Sequence, residues 1–393
     1  MRLPEGAPQK EPRVSFVVAV LYTGFLFAGS ATVLLGVLLP RLAAQYRLTD
    51  SNSGTLLMIQ FAACASGALF VRRRLVMTLS LGYVFMAFAA LALLLAPRVF
   101  AVAMIGLFGF GLGMAMTSTS VWVGRVFPGS RGTALALLNF FWSAGASLCP
   151  LIVARLPVRF SLPDVCLPVA ALGAAFALLA LPAASVAAAR ESAASAAKPM
   201  TAPLPLVALF SAIAFLYVGV EAAVGNWMST YAVRTVSWDF SRSSLAAACF
   251  WGALLAGRGL TPLALRFLSE TRLHLLSIAS TCLAILLLLS VHSAIALVAA
   301  ACACGLTLGP VFPLAIALFL ERAGEARNAG WVFATAGYGG AALSWCTGMV
   351  SARVHSLRAG LLVTLAASFV MLLLALRITP SRGTELAPAP IRI

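Results

Sequence analysis

A chain of 393 residues that is 62% hydrophobic and only 10% charged, with a mean hydropathy of +1.02, lacks the polar sequence needed to clothe a soluble domain, where about 25% of residues are charged. Its formal charge of +16 does not indicate nucleic acid, because the basic residues sit in loops between apolar runs rather than along one face. Paired CxxC clusters, a phosphate loop and a nucleophile–base set are missing from the sequence, which argues against a disulfide framework, a zinc site and an enzyme.

In chain order, residues 1–13 read as a polar cytoplasmic tail. Apolar runs follow near 14–39, 51–71, 75–96, 99–123, 131–154 and 163–185, then near 204–230, 243–266, 273–291, 294–319, 328–350 and 356–377. A helix of roughly 20 apolar residues crosses a hydrocarbon core of about 30 Å, and lipid offers no partner to an unpaired backbone group. The expected fold is therefore an all-α polytopic membrane protein of twelve transmembrane helices. The first run is too long for a signal peptide and lacks a small-residue cleavage site, so it stays as a helix. The Ala/Ser/Pro-rich stretch 186–203 reads as a cytoplasmic linker between two six-helix bundles, 14–185 and 204–377, and 378–393 as a cytoplasmic C-terminal tail.

Gly109, Gly113 and Arg131 recur as Gly305, Gly309 and Arg327, each displaced by 196 positions (305−109, 309−113, 327−131). The starts of the apolar runs in the two halves differ by 190, 192, 198, 195, 197 and 193. The chain thus reads as one six-helix unit written twice. Of the 27 basic residues, 17 fall on the side of the N-terminus and 9 on the other, with Arg258 inside a helix. That bias places both termini in the cytoplasm.

Glu221 is the one carboxylate deep in an apolar run, 17 residues past its start (221−204) and so toward the outer half of helix 7. A charge at such depth costs about 2.5–3.5 kcal/mol, which suggests proton coupling or substrate binding; the alternative is a protonated carboxyl bonded to a neighbouring helix. Arg258, in the inner third of helix 8, can snorkel to the cytoplasmic surface or act in gating. Counted this way the two lie at opposite membrane levels, and no direct pair is expected. Asn139, Trp142 and Ser143, spaced by three and four, put an amide, an indole and a hydroxyl on one face of helix 5. Such a set suits a polar molecule with an apolar face, such as a sugar.

Trp251 and Tyr338 are comparable deep residues that could equally be core aromatics, and Asn226 and Trp227 lie near Glu221 toward the outer end. Gln60, Tyr22, Thr23 and Ser30 add neutral polar groups, favouring neutral hydrogen-bonding ligands. Trp122 and Trp331 read as interfacial belt residues. His274, His292 and His355 fall in or beside loops, and Cys302 and Cys304 read as small packing residues. Arg72, Arg73 and Arg74 after helix 2, with Gly305, Gly309 and Pro310 in helix 10, are the candidate gating elements. Pro310 removes a mid-helix hydrogen bond and makes helix 10 a candidate bend.

Several stretches resemble the major facilitator superfamily and, within it, fucose-permease-like sugar:proton symporters. They are Leu38-Leu39-Pro40 with Tyr46, Leu48-Thr49 and Gly54; Leu138-Asn139-Phe140-Phe141-Trp142 with Gly145; and Tyr217 to Glu221 with Trp227. Phe250-Trp251 with Gly257-Arg258, and Gly305 to Gly309-Pro310-Val-Phe-Pro313, belong to the same set. Departures are the loop after Gly67, which carries Arg72-Arg73-Arg74 but no acid, Gly36 where the permease has an acid, and a fourth helix without an acid.

The resemblance implies a secondary active transporter working by alternating access, with a sugar or similar small polar metabolite moving together with a proton. Proton-driven export of amphipathic compounds is the second possibility, and a non-transporting membrane receptor the remote one. No cofactor is expected. The coupling ion is a proton, or sodium, since carboxylate and carbonyl oxygens serve either. The expected partners are the substrate and the lipid bilayer, with no nucleic acid. The expected protein is a functional monomer in a plasma membrane, the inner membrane of a bacterium.

Overall fold

The computed structural model describes residues 11–71, 74–95, 98–127, 130–156, 161–181, 201–323 and 330–378. The tail before residue 11, Arg72, Arg73, most of the linker and the tail after residue 378 lie outside these. The helices are α1 (Glu11–Tyr46), α2 (Asp50–Phe70), α3 (Leu75–Leu95), α4 (Arg98–Val126), α5 (Arg131–Val153) and α6 (Leu162–Ala180), followed by α7 (Leu204–Val236), α8 (Phe240–Ala264) and α9 (Glu270–Ser290). A tenth helix is broken into α10a (Ala294–Leu308) and α10b (Val311–Ala323), and α11 (Gly330–Val354) and α12 (Leu357–Ala375) complete the set.

Short polar connections delimit these helices because their last residues cap the next one. Thr49, Asp239, Ser269, Ser293 and Ser356 each accept a hydrogen bond from a backbone N–H three residues on, satisfying a donor that the helix leaves open. Among the described residues, ten helices are long and apolar enough to cross a membrane. The other two, α8 and α11, are 25 residues each, with hydropathy diluted by Ser, Gly and Thr and, in α8, by Arg258. Two helices exceed their expected length by the most. At 36 described residues, α1 runs about 54 Å and already includes Glu11, inside the stretch expected as a polar tail. The 33-residue α7 continues to Val236.

The repeat seen in the sequence is a repeat in packing. In the first half α1 packs on α5, α2 on α4 and α3 on α6; in the second, α7 packs on α11, α8 on α10a and α9 on α12. The recurring glycines do the same work in each. A Cβ at Gly109 or Gly113 of α4 would overlap the Gln60 or Cys64 carbonyl of α2, and one at Gly305 or Gly309 would overlap the Phe250 or Leu254 carbonyl of α8. The halves join along α1–α7, α2–α11 and α5–α8, the last two being one contact exchanged between the repeats. Helix 10 breaks at Gly309-Pro310, where helical pairing stops and restarts with Leu314 N–H donating to Pro310 O.

Trp122, expected in an interfacial belt, is instead buried in the first-half core, whereas Trp331 is exposed. His274, expected in or beside a loop, lies in the second turn of α9 and is fully buried. The Ser269 cap starts that helix early enough to turn His274 inward.

Candidate functional site

Among the buried polar side chains of the described residues, one group converges between the halves at α5, α7 and α8. Arg258 of α8 is its hub. Its Nη1 donates to Ser143 Oγ of α5 at 2.6 Å, and its Nη2 donates to Tyr217 OH and Glu221 Oε1 of α7, both at 3.2 Å. The Tyr217 hydroxyl and the Glu221 carboxylate thus share one guanidinium nitrogen. That is natural for residues four apart on one helix. The guanidinium carbon lies 5.5 Å from the Trp142 ring centre, and Trp142 meets Trp251 edge to face at 5.8 Å.

The expectation that Glu221 and Arg258 lie at different levels is overturned: they form an ion pair whose side chains are only 7% and 11% exposed. The depths had been counted from opposite ends of helices of unequal length. Counted from the shared α7–α8 connection, Glu221 is 15 residues down (236−221) and Arg258 is 18 (258−240), a difference of about 4.5 Å along the axis. The long arginine side chain closes that gap. Arg258 therefore does not snorkel to the surface.

The other expected residues divide. Asn139, one turn from Ser143 on the same face of α5, is exposed and donates to Leu135 O at 3.0 Å. Asn226 is buried with its Nδ2 on Ala222 O at 2.8 Å, and it lies against Gly36 of α1. No side chain fits at Gly36, where the resembling permease has an acid. Trp227 is fully buried and donates to Ser344 O at 3.1 Å, and Gln60 donates to Thr32 O at 2.9 Å, so both polar groups tie helices together away from the cluster. Tyr338 OH meets Ser66 Oγ at 3.3 Å, linking α11 to α2. Of the candidate gating residues, Arg74 is exposed, Arg72 and Arg73 lie outside the described residues, Gly305 and Gly309 shape the contact with α8, and Pro310 lies in the break between α10a and α10b.

A second polar junction closes the end of the bundle away from the termini. Asp50 at the start of α2 accepts two bonds from Arg234 near the end of α7, at 2.6 and 2.5 Å, and one from Ser351 of α11 at 2.5 Å. Ser51 meets Met349 Sδ, and Ser241 donates to Ala154 O at 2.9 Å. Sequence reasoning named Tyr217 only within the stretch that resembles the family, with no site role, and gave Asp50 and Arg234 none either. The i,i+4 spacing of Tyr217 to Glu221 was the available signal for the first, and an acid and a base at matching ends of the two repeats for the others.

Comparison with known proteins agrees on the architecture. Residues 20–344 match the sequence model of the family described as Major Facilitator Superfamily. The protein named Bypass of stop codon protein 6 from Saccharomyces cerevisiae is 30% identical over 164 residues, a stretch covering 37% of this chain and 32% of that protein. Similar folds include a D-xylose-proton symporter (TM-score 0.72, 14% identity, 95% of this chain and 100% of that one). A bacterial homologue of the human lysosomal transporter Spinster, inward-facing and occupied, is also similar (0.69, 13%, 94% and 97%). So is the transporter FucP in its outward conformation (0.64, 17%, 93% and 99%).

Proposed function

Because the chain belongs to the Major Facilitator Superfamily, a family of transporters rather than enzymes, we propose that it is a secondary active transporter moving a sugar or similar small polar metabolite together with a proton. The observation that carries this reading is Arg258, which ties Glu221 and Tyr217 of one half to Ser143 of the other. A proton on Glu221 changes what holds the middle of the molecule together, so it changes the relative stability of the two access states, as coupling requires. The basic-residue bias supports cytoplasmic termini in a bacterial inner membrane. On that orientation the Asp50–Arg234 junction is the outer gate. The protein works as a monomer, needs no cofactor, and uses sodium only if a sodium gradient replaces the pH gradient in the assay below.

The test is uptake of labelled neutral and acidic sugars into proteoliposomes with and without an imposed pH gradient. Accumulation that follows the gradient is the expected result. Extrusion of amphipathic compounds with no sugar uptake would overturn it and favour the second reading, proton-driven export, for which the Trp142–Trp251 pair supplies an apolar surface.

A further inference from the structure

Resting on that reading of Glu221, we infer that the transported molecule carries a carboxylate, as in a sugar acid, and that this carboxylate replaces Glu221 on Arg258. The first ground is a surplus of donors. Arg258 Nε and the indole N–H groups of Trp142 and Trp251 are buried with no protein acceptor, and these groups can only donate. They belong to one neighbourhood, since Arg258 lies over Trp142 and Trp142 abuts Trp251. A carboxylate is acceptor-only and matches a guanidinium edge with two parallel bonds, whereas a hydroxyl brings a further donor.

The second ground is charge balance. The charged or titratable groups acting on Glu221 are Arg258 from α8 and Tyr217 from α7 itself. If a proton joins Glu221 while a neutral sugar binds, the guanidinium is left buried without a counter-charge, an arrangement proteins strongly disfavour. If the proton arrives with a carboxylate, Arg258 exchanges one anion for another and the site keeps its net charge. Glu221, having taken a proton from water, stays beside Tyr217 as a neutral acid. Asn139, exposed one turn along α5, offers its amide to the hydroxyls of the same molecule.

The full-length protein in liposomes is assayed with D-galacturonate, D-gluconate, methyl D-galacturonate and D-galactose, under a pH gradient, with the membrane potential clamped at zero or set by potassium and valinomycin. We expect an acid to accumulate with the pH gradient and independently of potential, because proton plus carboxylate carries no net charge; ester and galactose move about tenfold more slowly or less. Wild-type affinity for the acid, read by thermal shift, weakens by up to about tenfold per pH unit where one proton accompanies the ligand. Glu221→Gln keeps acid counterflow, loses gradient-driven accumulation, and binds the acid equally from about pH 6 to about pH 8. Galactose accumulating in a potential-sensitive manner while neither acid does overturns the inference and leaves proton-coupled sugar transport standing. Dye extrusion without uptake of any of the four overturns both, and binding by Glu221→Gln as pH-dependent as wild type removes the exchange at Arg258.

Discussion

Two ion pairs organise this molecule, and the one with the better geometry is the weaker constraint. Asp50 and Arg234 meet through two short bonds at 2.6 and 2.5 Å, but Arg234 is 44% exposed. Water and salt therefore compete for it, but because Asp50 is only 11% exposed and the bidentate geometry helps, the pair lies near the upper end of the about 0–1 kcal/mol typical of exposed pairs. Arg258 and Glu221 touch once at 3.2 Å, yet both are nearly dry, so either ion left alone carries an unrelieved desolvation cost. A junction that opens in every cycle gains from being cheap to part. A junction that reports a bound proton gains from being costly to leave half-made.

This contrast can be broken, beginning where the largest effect is expected. Arg258→Gln leaves Glu221 unpaired and should cost about 3–5 kcal/mol, read as a fall in Tm with loss of transport; adding Glu221→Gln should restore most of the Tm but not transport. An Arg258→Gln fall no larger than that of Arg234→Gln would end the comparison. Gly36→Ala should come next, at about 1–3 kcal/mol, because its Cβ meets Asn226 only while the α1–α7 contact is closed; faster hydrogen exchange at the end of α7 would show it. Asp50→Asn should loosen the same end by about 1 kcal/mol, and by less in high salt, whereas the Arg258→Gln effect should hardly change with salt. Trp227→Phe should lower stability by about 1 kcal/mol through loss of its bond to Ser344 O, with substrate selectivity unchanged. A selectivity change there would return Trp227 to the binding site.

How far the sequence disclosed this depended on whether a residue had a local explanation. The repeat was legible because Gly113 and Gly309 each serve a backbone contact that admits no side chain, and that requirement keeps its spacing. Asn139, Trp142, Ser143 and Glu221 stood out because polar groups in apolar runs are costly. Asp50 and Arg234 did not, since an acid at a helix start and a base in a loop already satisfy dipole and topology rules. Tyr217 was visible as part of a family-like stretch, but its hydroxyl had no expected partner while Arg258 was placed at another level. The Glu221–Arg258 pair required knowing that α7 and α8 share one connection and differ in length, which hydropathy alone does not give. That the Gln60 amide and the Trp227 indole are used by backbone carbonyls is likewise a tertiary fact.

The Gly36–Asn226 contact bears on the energetics of the cycle. Asn226 Oδ1 is buried with no protein donor, and an acceptor so placed costs about 1–3 kcal/mol. The penalty applies while α1 covers Asn226 and disappears once separation of the two helices lets the amide hydrate. The closed gate is thereby kept shallow, because the penalty is set against the Asp50–Arg234–Ser351 bonds instead of leaving them to deepen the minimum.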